Sequence, residues 1–266
     1  MKKLLGVLVL LGFLSSCNVT ETIVFTEDGS GDFLVTYDMT QMMSQMKELG
    51  MNTDSSEKKE GKEVMDTTMV FAEIMENHKD SIAALPEEQR LAIEYVKDMY
   101  MTMHVDEEKA KMNMGIGMKF NSINDLKDIQ KKIKKAQSLG DENKQIDAMR
   151  DGSPMGKFMG DNDGNVAYNY TTSGFTRSTA MPDLSEEEYN EMNALFNNTS
   201  ESDKEFMDYF KASYYTVKLV FPKRIKSTTI EDAQISDDGK TLTYKTSWLD
   251  YIKNPKTLDV DVKFYE

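Results

Sequence analysis

Three kinds of side chain in this sequence could supply a thiol, an imidazole or a soft metal ligand, namely cysteine, histidine and methionine. The 266 residues contain one cysteine, Cys17, and two histidines, His78 and His104. A single thiol allows neither an internal disulfide nor a cysteine-based metal site. The two histidines lie in different predicted elements, and we expect His78 to be a packed residue in a helical stripe. We therefore predict no metal site and no catalytic residue.

The residues before Cys17 form a short apolar leader. Lys2 and Lys3 supply positive charge, and Leu4 to Leu14 follow as an apolar run. This run is too short to span a bilayer, which takes about 20 residues, and it is typical of a signal peptide. Leu14-Ser15-Ser16-Cys17 resembles the bacterial lipobox, in which a diacylglyceryl thioether forms on the cysteine before cleavage. We expect residues 1–16 to be the signal peptide and 17–19 a lipidated tether, with no other cofactor.

Methionine is unusually frequent, with 21 residues in the chain. Several of them alternate with polar residues on both sides of the turn at 106–109. Period-two alternation around a short polar turn predicts an antiparallel hairpin with one apolar face. Such a face can be plain core, an adaptable groove for an apolar ligand, or a set of thioethers that binds Cu(I). The candidate ligand face comprises Met99, Met101, Met103, Met112, Met114, Met118 and Phe120.

Motifs that would indicate an enzyme are absent from the sequence. There is no Gly-x-Ser-x-Gly, His-Glu-x-x-His, Walker A or Gly-x-Gly-x-x-Gly pattern. The acidic run from Asp161 to Asn165 does not match a calcium loop, since placing Gly164 at position 6 puts Tyr170 at position 12, where Glu is required. We expect a protein that is not an enzyme.

The remaining pattern predicts strands at both ends of the chain and helices between them. Alternating segments at 20–26 and 32–38 flank an Asp-Gly turn, 166–170 and 174–179 form a second hairpin, and three alternating runs follow Tyr215. Helical spacing covers Phe71 to Leu85, and a helix near Asn124 turns Leu126, Ile129, Ile133 and Ala136 inward. Gly115 and Gly117 predict close approach of another backbone.

These elements indicate an α+β fold in one domain, residues 20–266. We expect an antiparallel sheet built from N-terminal, central and C-terminal hairpins, with helices packed on one face. Two polar segments, 50–63 and 140–165, are predicted to be flexible loops.

The charge of the chain restricts its partners. With 32 basic and 46 acidic residues the net charge is −14. A duplex-binding protein needs a basic patch to displace the counterions of phosphate, and an anionic membrane repels an acidic surface. We therefore expect no nucleic-acid partner, and membrane attachment through the lipid anchor rather than through charge.

The order of the turns and strands resembles a known group of proteins. The lipobox, the Glu27-Asp28-Gly29-Ser30-Gly31 hairpin, the strand from Thr216 into Pro222, and Asp237-Asp238-Gly239-Lys240 before a last strand pair resemble uncharacterised Bacteroidetes lipoproteins. The two ends are also similar to LppM-type lipoprotein domains, which implies an α+β fold and lipid binding. The residues after Cys17 lack the acidic cluster that marks surface export in that phylum. We expect an outer-membrane lipoprotein that faces the periplasm.

Three functions fit these observations. The first is binding of an apolar ligand or lipid on the methionine-rich hairpin face. The second is interaction with, or assembly of, envelope proteins. The third is Cu(I) handling by the methionines.

Overall fold

The structure is a computed structural model, and it describes part of the chain. The described residues are 18–40, 64–106, 108–109, 111–137, 166–180, 185–187, 190, 193–194 and 213–266. The predicted signal peptide, Cys17 and both predicted loops, the second of which contains Asp161 to Asn165, lie outside the described residues.

Strands dominate this part of the chain. The β-strands are β1 (Asn18–Phe25), β2 (Gly31–Asp38), β3 (Val64–Val70), β4 (Met99–Asp106), β5 (Lys111–Phe120), β6 (Val166–Tyr170), β7 (Gly174–Thr179), β8 (Tyr214–Val220), β9 (Ile225–Thr228), β10 (Gln234–Ile235), β11 (Thr241–Ser247) and β12 (Val260–Phe264). The α-helices are α1 (Phe71–Asn77), α2 (Lys79–Ala83), α3 (Glu87–Tyr95), α4 (Ile129–Gln137) and α5 (Trp248–Lys253). Short 3-10 helices span Ile123–Leu126 and Pro255–Leu258. The α+β class is confirmed.

The large sheet has eight strands in the order β10-β11-β8-β1-β2-β5-β4-β3. The neighbouring strands β1 and β8 are parallel, whereas the other neighbours are antiparallel. The sheet is therefore mixed, not purely antiparallel as the hairpin pattern predicts. A parallel pair joins residues 19–24 to residues 215–220, a separation that local alternation does not encode.

The small sheet has four antiparallel strands in the order β6-β7-β12-β9. It packs on one face of the large sheet, which is called the inner face here, and Phe25 and Phe33 of the large sheet meet Phe175 and Tyr168 of the small sheet through their rings. The prediction of a single sheet is thus wrong. The ends of the chain share the large sheet through β1 and β8, but the last strand, β12, belongs to the small sheet.

The helices differ in how well their apolar stripes are covered. Leu126, Ile129, Ile133 and Ala136 are all buried, which confirms the predicted inward side of the helix after Asn124. The stripe from Phe71 to Leu85 is divided between α1 and α2, and neither helix buries a residue. His78 lies between these two helices and is exposed, so the prediction of a packed histidine is wrong.

The turn between β1 and β2 has the predicted chemistry. Gly29 has a φ of 84°, which favours glycine, and Asp28 Oδ1 accepts hydrogen bonds from the Thr26 hydroxyl (2.6 Å) and the Ser30 hydroxyl (2.7 Å). These bonds stabilise the carboxylate and lower the pKa of Asp28 to about 2. The predicted hairpin is confirmed, with β1 beginning at Asn18 instead of Thr20. Two residues of the predicted tether are therefore part of the sheet.

Candidate functional site

The predicted hairpin of β4 and β5 exists and carries its methionines on the inner face. Met99 lies opposite Met118, and Met103 lies opposite Met114. Directly opposed residues share a sheet face, and Met118 is also opposite the inward Phe33 of β2. The structure extends the set to β3, because Met65 lies opposite Val105 and Met69 opposite Met101. The sequence analysis did not assign Met65 and Met69 to this face. Residues four positions apart on a strand point to the same side, so their spacing was a signal that could have identified them.

Burial of these side chains differs between the two ends of the strands. Met99, Met118 and Phe120 are 0%, 1% and 3% exposed and belong to the hydrophobic core. Helix α4 approaches this end, where Lys132 Nζ lies 3.7 Å from the sulfur of Met118. Towards the other end the remaining side chains are partly buried or exposed, with Met65 at 43%. We call the set Met65, Met69, Met101, Met103, Met112 and Met114 the methionine surface.

The opposite face of the same hairpin is polar and tightly packed. The Tyr100 ring lies over Gly117, where an added Cβ would come within 2.6 Å of the ring carbon Cζ, and Thr102 lies over Gly115 in the same way. The crowding neighbours are mainly side chains of β4, with one backbone contact, the Phe33 carbonyl, at Gly117. Tyr100 donates a 2.6 Å hydrogen bond to Asp32, and burial together with this carboxylate raises the pKa of its phenol.

His104 also lies on this opposite face. Its Nδ1 is 2.6 Å from Asp66 Oδ1, in a pair that is exposed to solvent. Directly opposed Asn113 shares its face, whereas Met103 and Val105 point the other way. His104 therefore cannot join the methionine sulfurs around one ion. Within the described ranges, no group of three His, Cys, Asp or Glu side chains could hold a metal.

A second feature, which sequence reasoning missed, is an ion pair between the two sheets. Glu21 of β1 and Arg177 of β7 are fully buried, and Arg177 Nε donates to Glu21 Oε1 at 3.1 Å. A second contact joins Nη2 to Oε2 at 3.4 Å. Tyr168 and Tyr215 donate to the same carboxylate at 3.1 and 3.0 Å. Both carboxylate oxygens of Glu21 therefore have two donors.

The environment fixes the protonation of this cluster. Burial, and then the neighbouring Glu21 charge, raise the pKa of Tyr168 and Tyr215 well above the usual value, so both phenols remain neutral donors. Burial alone would lower the pKa of Arg177, but Glu21 together with the surrounding tyrosine side chains raises it well above the usual value. Because the buried Glu21 carboxylate accepts four hydrogen bonds from both sheets, the cluster joins the two sheets.

The sequence contains one signal from which a buried ion pair could have been predicted. Glu21 occupies an inward position between Val19 and Ile23 in an alternating strand, so its carboxylate had to be buried and needed a partner. Arg177 occupies the corresponding place between Phe175 and Thr179 on β7. The sequence alone does not tell which strand faces which, and the pairing of the two residues follows from the sandwich.

Two open depressions in the described ranges lie away from the methionine surface. One, of about 390 Å³, is lined by residues of β7, by Thr229, and by Asp259 and the first residues of β12, including Asp261. Arg177 lies in its wall but is fully buried and satisfied by Glu21, so it offers no cation to a ligand. The other, of about 640 Å³, is a wide depression beside Glu186, Glu187, Asn190 and Ala194.

Among the helices that the structure describes, none has the length and apolar character needed to cross a bilayer.

Comparison with known proteins gives one remote likeness. No protein-family model matches the sequence, and no curated protein matches it. Among solved structures, the fold is similar to the NMR structure of the folded domain of LppM from Mycobacterium tuberculosis. The two chains share 7% identity with a TM-score of 0.35, over 94% of this chain and 90% of the other.

Proposed function

We propose that the chain is a non-enzymatic lipoprotein, anchored by lipid on Cys17, that binds an apolar ligand on the methionine surface. One observation carries the proposal. A single row of inward methionines runs from the closed core at Met99 and Met118 to partly exposed positions at Met103, Met112 and Met114. An apolar sheet face that remains open to solvent is typical of a binding surface.

The chemistry of methionine supports this proposal. The side chain is unbranched and polarisable, so a group of them adapts its shape to irregular apolar molecules. Tyr37 of β2 adds an aromatic ring beside Met114 on the same face. An acyl chain, which has no polar group to satisfy, is the chemical class that fits such a surface.

Native mass spectrometry of protein purified from membranes tests the proposal. We expect the wild type to carry a copurifying apolar molecule, and Met114→Glu to lose it because a carboxylate would lie on the surface. Asn113→Glu is the matched control, since the adjacent residue lies on the opposite face of the same strand. Wild-type protein that carries nothing and takes up no added fatty acid would exclude the proposal.

Cu(I) binding is separated from apolar binding by a conservative variant. Replacing Met101, Met103 and Met114 together with leucine keeps the apolar surface but removes three sulfurs. If the surface binds apolar ligands, this variant retains its ligand. If the surface binds Cu(I), the triple variant loses the metal. Because His104 lies on the opposite face of the sheet, a copper site on the methionine surface would have to consist of thioethers alone.

A partner protein is the second candidate function, and the edge strand β3 favours it. β3 ends the strand order of the large sheet and exposes Val64 (57%), Met65 (43%) and Met69 (36%). An edge strand with exposed apolar side chains can pair with a strand of another chain. Crosslinking in cells from a photoreactive residue at Val64 tests this function, and a reproducible single partner is the expected result.

A further inference from the structure

The fold leaves almost no chain between the anchoring cysteine and the folded body. β1 begins at Asn18, directly after Cys17, and Val19 is already 2% exposed. The Asn18 side chain accepts a 3.0 Å hydrogen bond from the backbone of Tyr214, which fixes the start of the strand. Since neighbouring Cα atoms are about 3.8 Å apart, any lipid on Cys17 begins beside the end of the large sheet.

The register shows which residues share that end. Asn18 lies opposite Asp38, which lies opposite Asn113. One step further, the backbone N–H of Met39 donates to the carbonyl of Met112 at 2.8 Å. With strands about 4.8 Å apart, Met112 lies two strands, or about 10 Å, from β1. The partly exposed end of the methionine surface is therefore close to the anchoring point.

The single tryptophan lies on the other side of the same end. β11 ends at Ser247, opposite Tyr214, and Trp248 follows, with its backbone N–H bonded to Ser213. Trp248 is partly exposed and Tyr214 is 38% exposed. Tryptophan and tyrosine are the residues enriched at membrane–water interfaces, because each combines an apolar ring with a polar group.

We propose that the body rests directly on the bilayer that holds its lipid anchor, with this end of the large sheet at the membrane surface. The proximal end comprises Asn18, Met39, Met112, Tyr214 and Trp248. This orientation rests on the proposed lipid anchor at Cys17. In it, the acyl chains that bind the methionine surface come from the anchoring membrane.

Electrostatics does not produce this arrangement. The net charge of −14 opposes adsorption to anionic lipid, so contact depends on the anchor and on apolar and aromatic side chains. The proximity should therefore persist in zwitterionic vesicles and at high salt, where exposed charges are screened.

The two ends of the large sheet supply a matched pair of probe positions. Lys111, at the start of β5, is exposed at the proximal end, and Glu27 is exposed in the turn at the other end of β1. The eight residues of β1 separate the two ends by about 25 Å. Lys111→Cys and Glu27→Cys each give one reactive thiol, because lipid occupies Cys17.

The experiment uses full-length lipidated protein in phosphatidylcholine vesicles. Each variant carries an environment-sensitive fluorophore, and lipids with a nitroxide on the acyl chain act as quenchers. We expect quenching at position 111 to be several-fold stronger than at position 27, unchanged in 0.5 M salt. Brominated lipid should also quench Trp248 in the unlabelled protein, and a soluble Cys17→Ser form without the leader should show neither effect.

The outcomes separate the orientation from the anchor. If the protein floats with the vesicles but both positions are quenched equally, or neither is, the orientation is overturned and the anchor stands. If the protein does not float, the anchor fails, and the orientation that rests on it fails too.

Discussion

Two regions of the inner face of the large sheet differ in what covers them. Around β1 and β8 the small sheet closes the face with aromatic rings, such as Phe25 stacked on Tyr170 with centroids 4.3 Å apart. On β3, β4 and β5 the face carries methionines whose exposure increases away from α4. The aromatic region is a fixed interior with few alternative arrangements, whereas flexible thioethers suit a surface that must adapt.

The same comparison explains where charge is tolerated. Glu21 and Arg177 lie in the closed region, where four donors and the opposing sheet compensate for burial. The methionine surface offers no such compensation to a charge from outside. We therefore expect the closed region to determine stability and the open region to determine what the protein binds.

The largest effect is expected from breaking the ion pair. Arg177→Met leaves the Glu21 carboxylate buried without its cation and should lower the free energy of unfolding by about 3–5 kcal/mol. Urea denaturation measures this change. The double variant Glu21→Leu with Arg177→Met removes both charges and should recover much of the loss. A single variant within about 1 kcal/mol of wild type would show that the ion pair does not hold the sheets together.

A smaller difference should appear within the methionines. Met99→Ala and Met118→Ala create cavities in the core and should lower the free energy of unfolding by about 2–5 kcal/mol. Met103→Ala and Met112→Ala remove partly exposed side chains and should cost much less. All four variants replace methionine with alanine, so they remove the same atoms. Thermal and urea unfolding of the four proteins measures the losses in the free energy of unfolding and checks that the two core variants lose more. Equal losses at all four positions would mean that the surface is closed core.

The smallest effect concerns the turn at the far end of β1. The folded pKa of Asp28, about 2, is below its ordinary value of 3.8, so the carboxylate stabilises the fold above pH 4. This contribution is lost as the pH falls from about 4 towards 2. Asp28→Asn should therefore flatten the dependence of the urea midpoint on pH in that window. An unchanged slope would show that the Thr26 and Ser30 hydrogen bonds are not maintained in solution.

Alternation along the sequence predicted most of the strands. The hairpins of β1 with β2, β4 with β5, and β6 with β7 depend on period-two patterns and polar turns, which are local signals. The inward side of α4 followed from its spacing in the same way. The residues of the predicted ligand face lie on one side of a hairpin for this reason, although three of them, Met99, Met118 and Phe120, belong to the core.

Partners distant in sequence could not be predicted. The parallel pairing of β1 with β8 and the assignment of β12 to a second sheet depend on contacts between the two ends of the chain. For the same reason Glu21 and Arg177, 156 positions apart, could not be matched. The stripe in α1 and α2 shows the reverse error, since apolar spacing predicted burial whereas its side chains are only partly buried or exposed.

Methionine oxidation with and without ligand tests the central claim most directly. Purified protein, stripped of lipid or loaded with a long-chain fatty acid, is treated with dilute hydrogen peroxide, and each sulfoxide is measured by mass spectrometry. We predict that Met103, Met112 and Met114 oxidise in the stripped protein and are protected in the loaded protein, while the buried Met99 and Met118 stay unreactive in both. Identical oxidation of the first three methionines in the two samples would contradict the assignment of the methionine surface as a binding site.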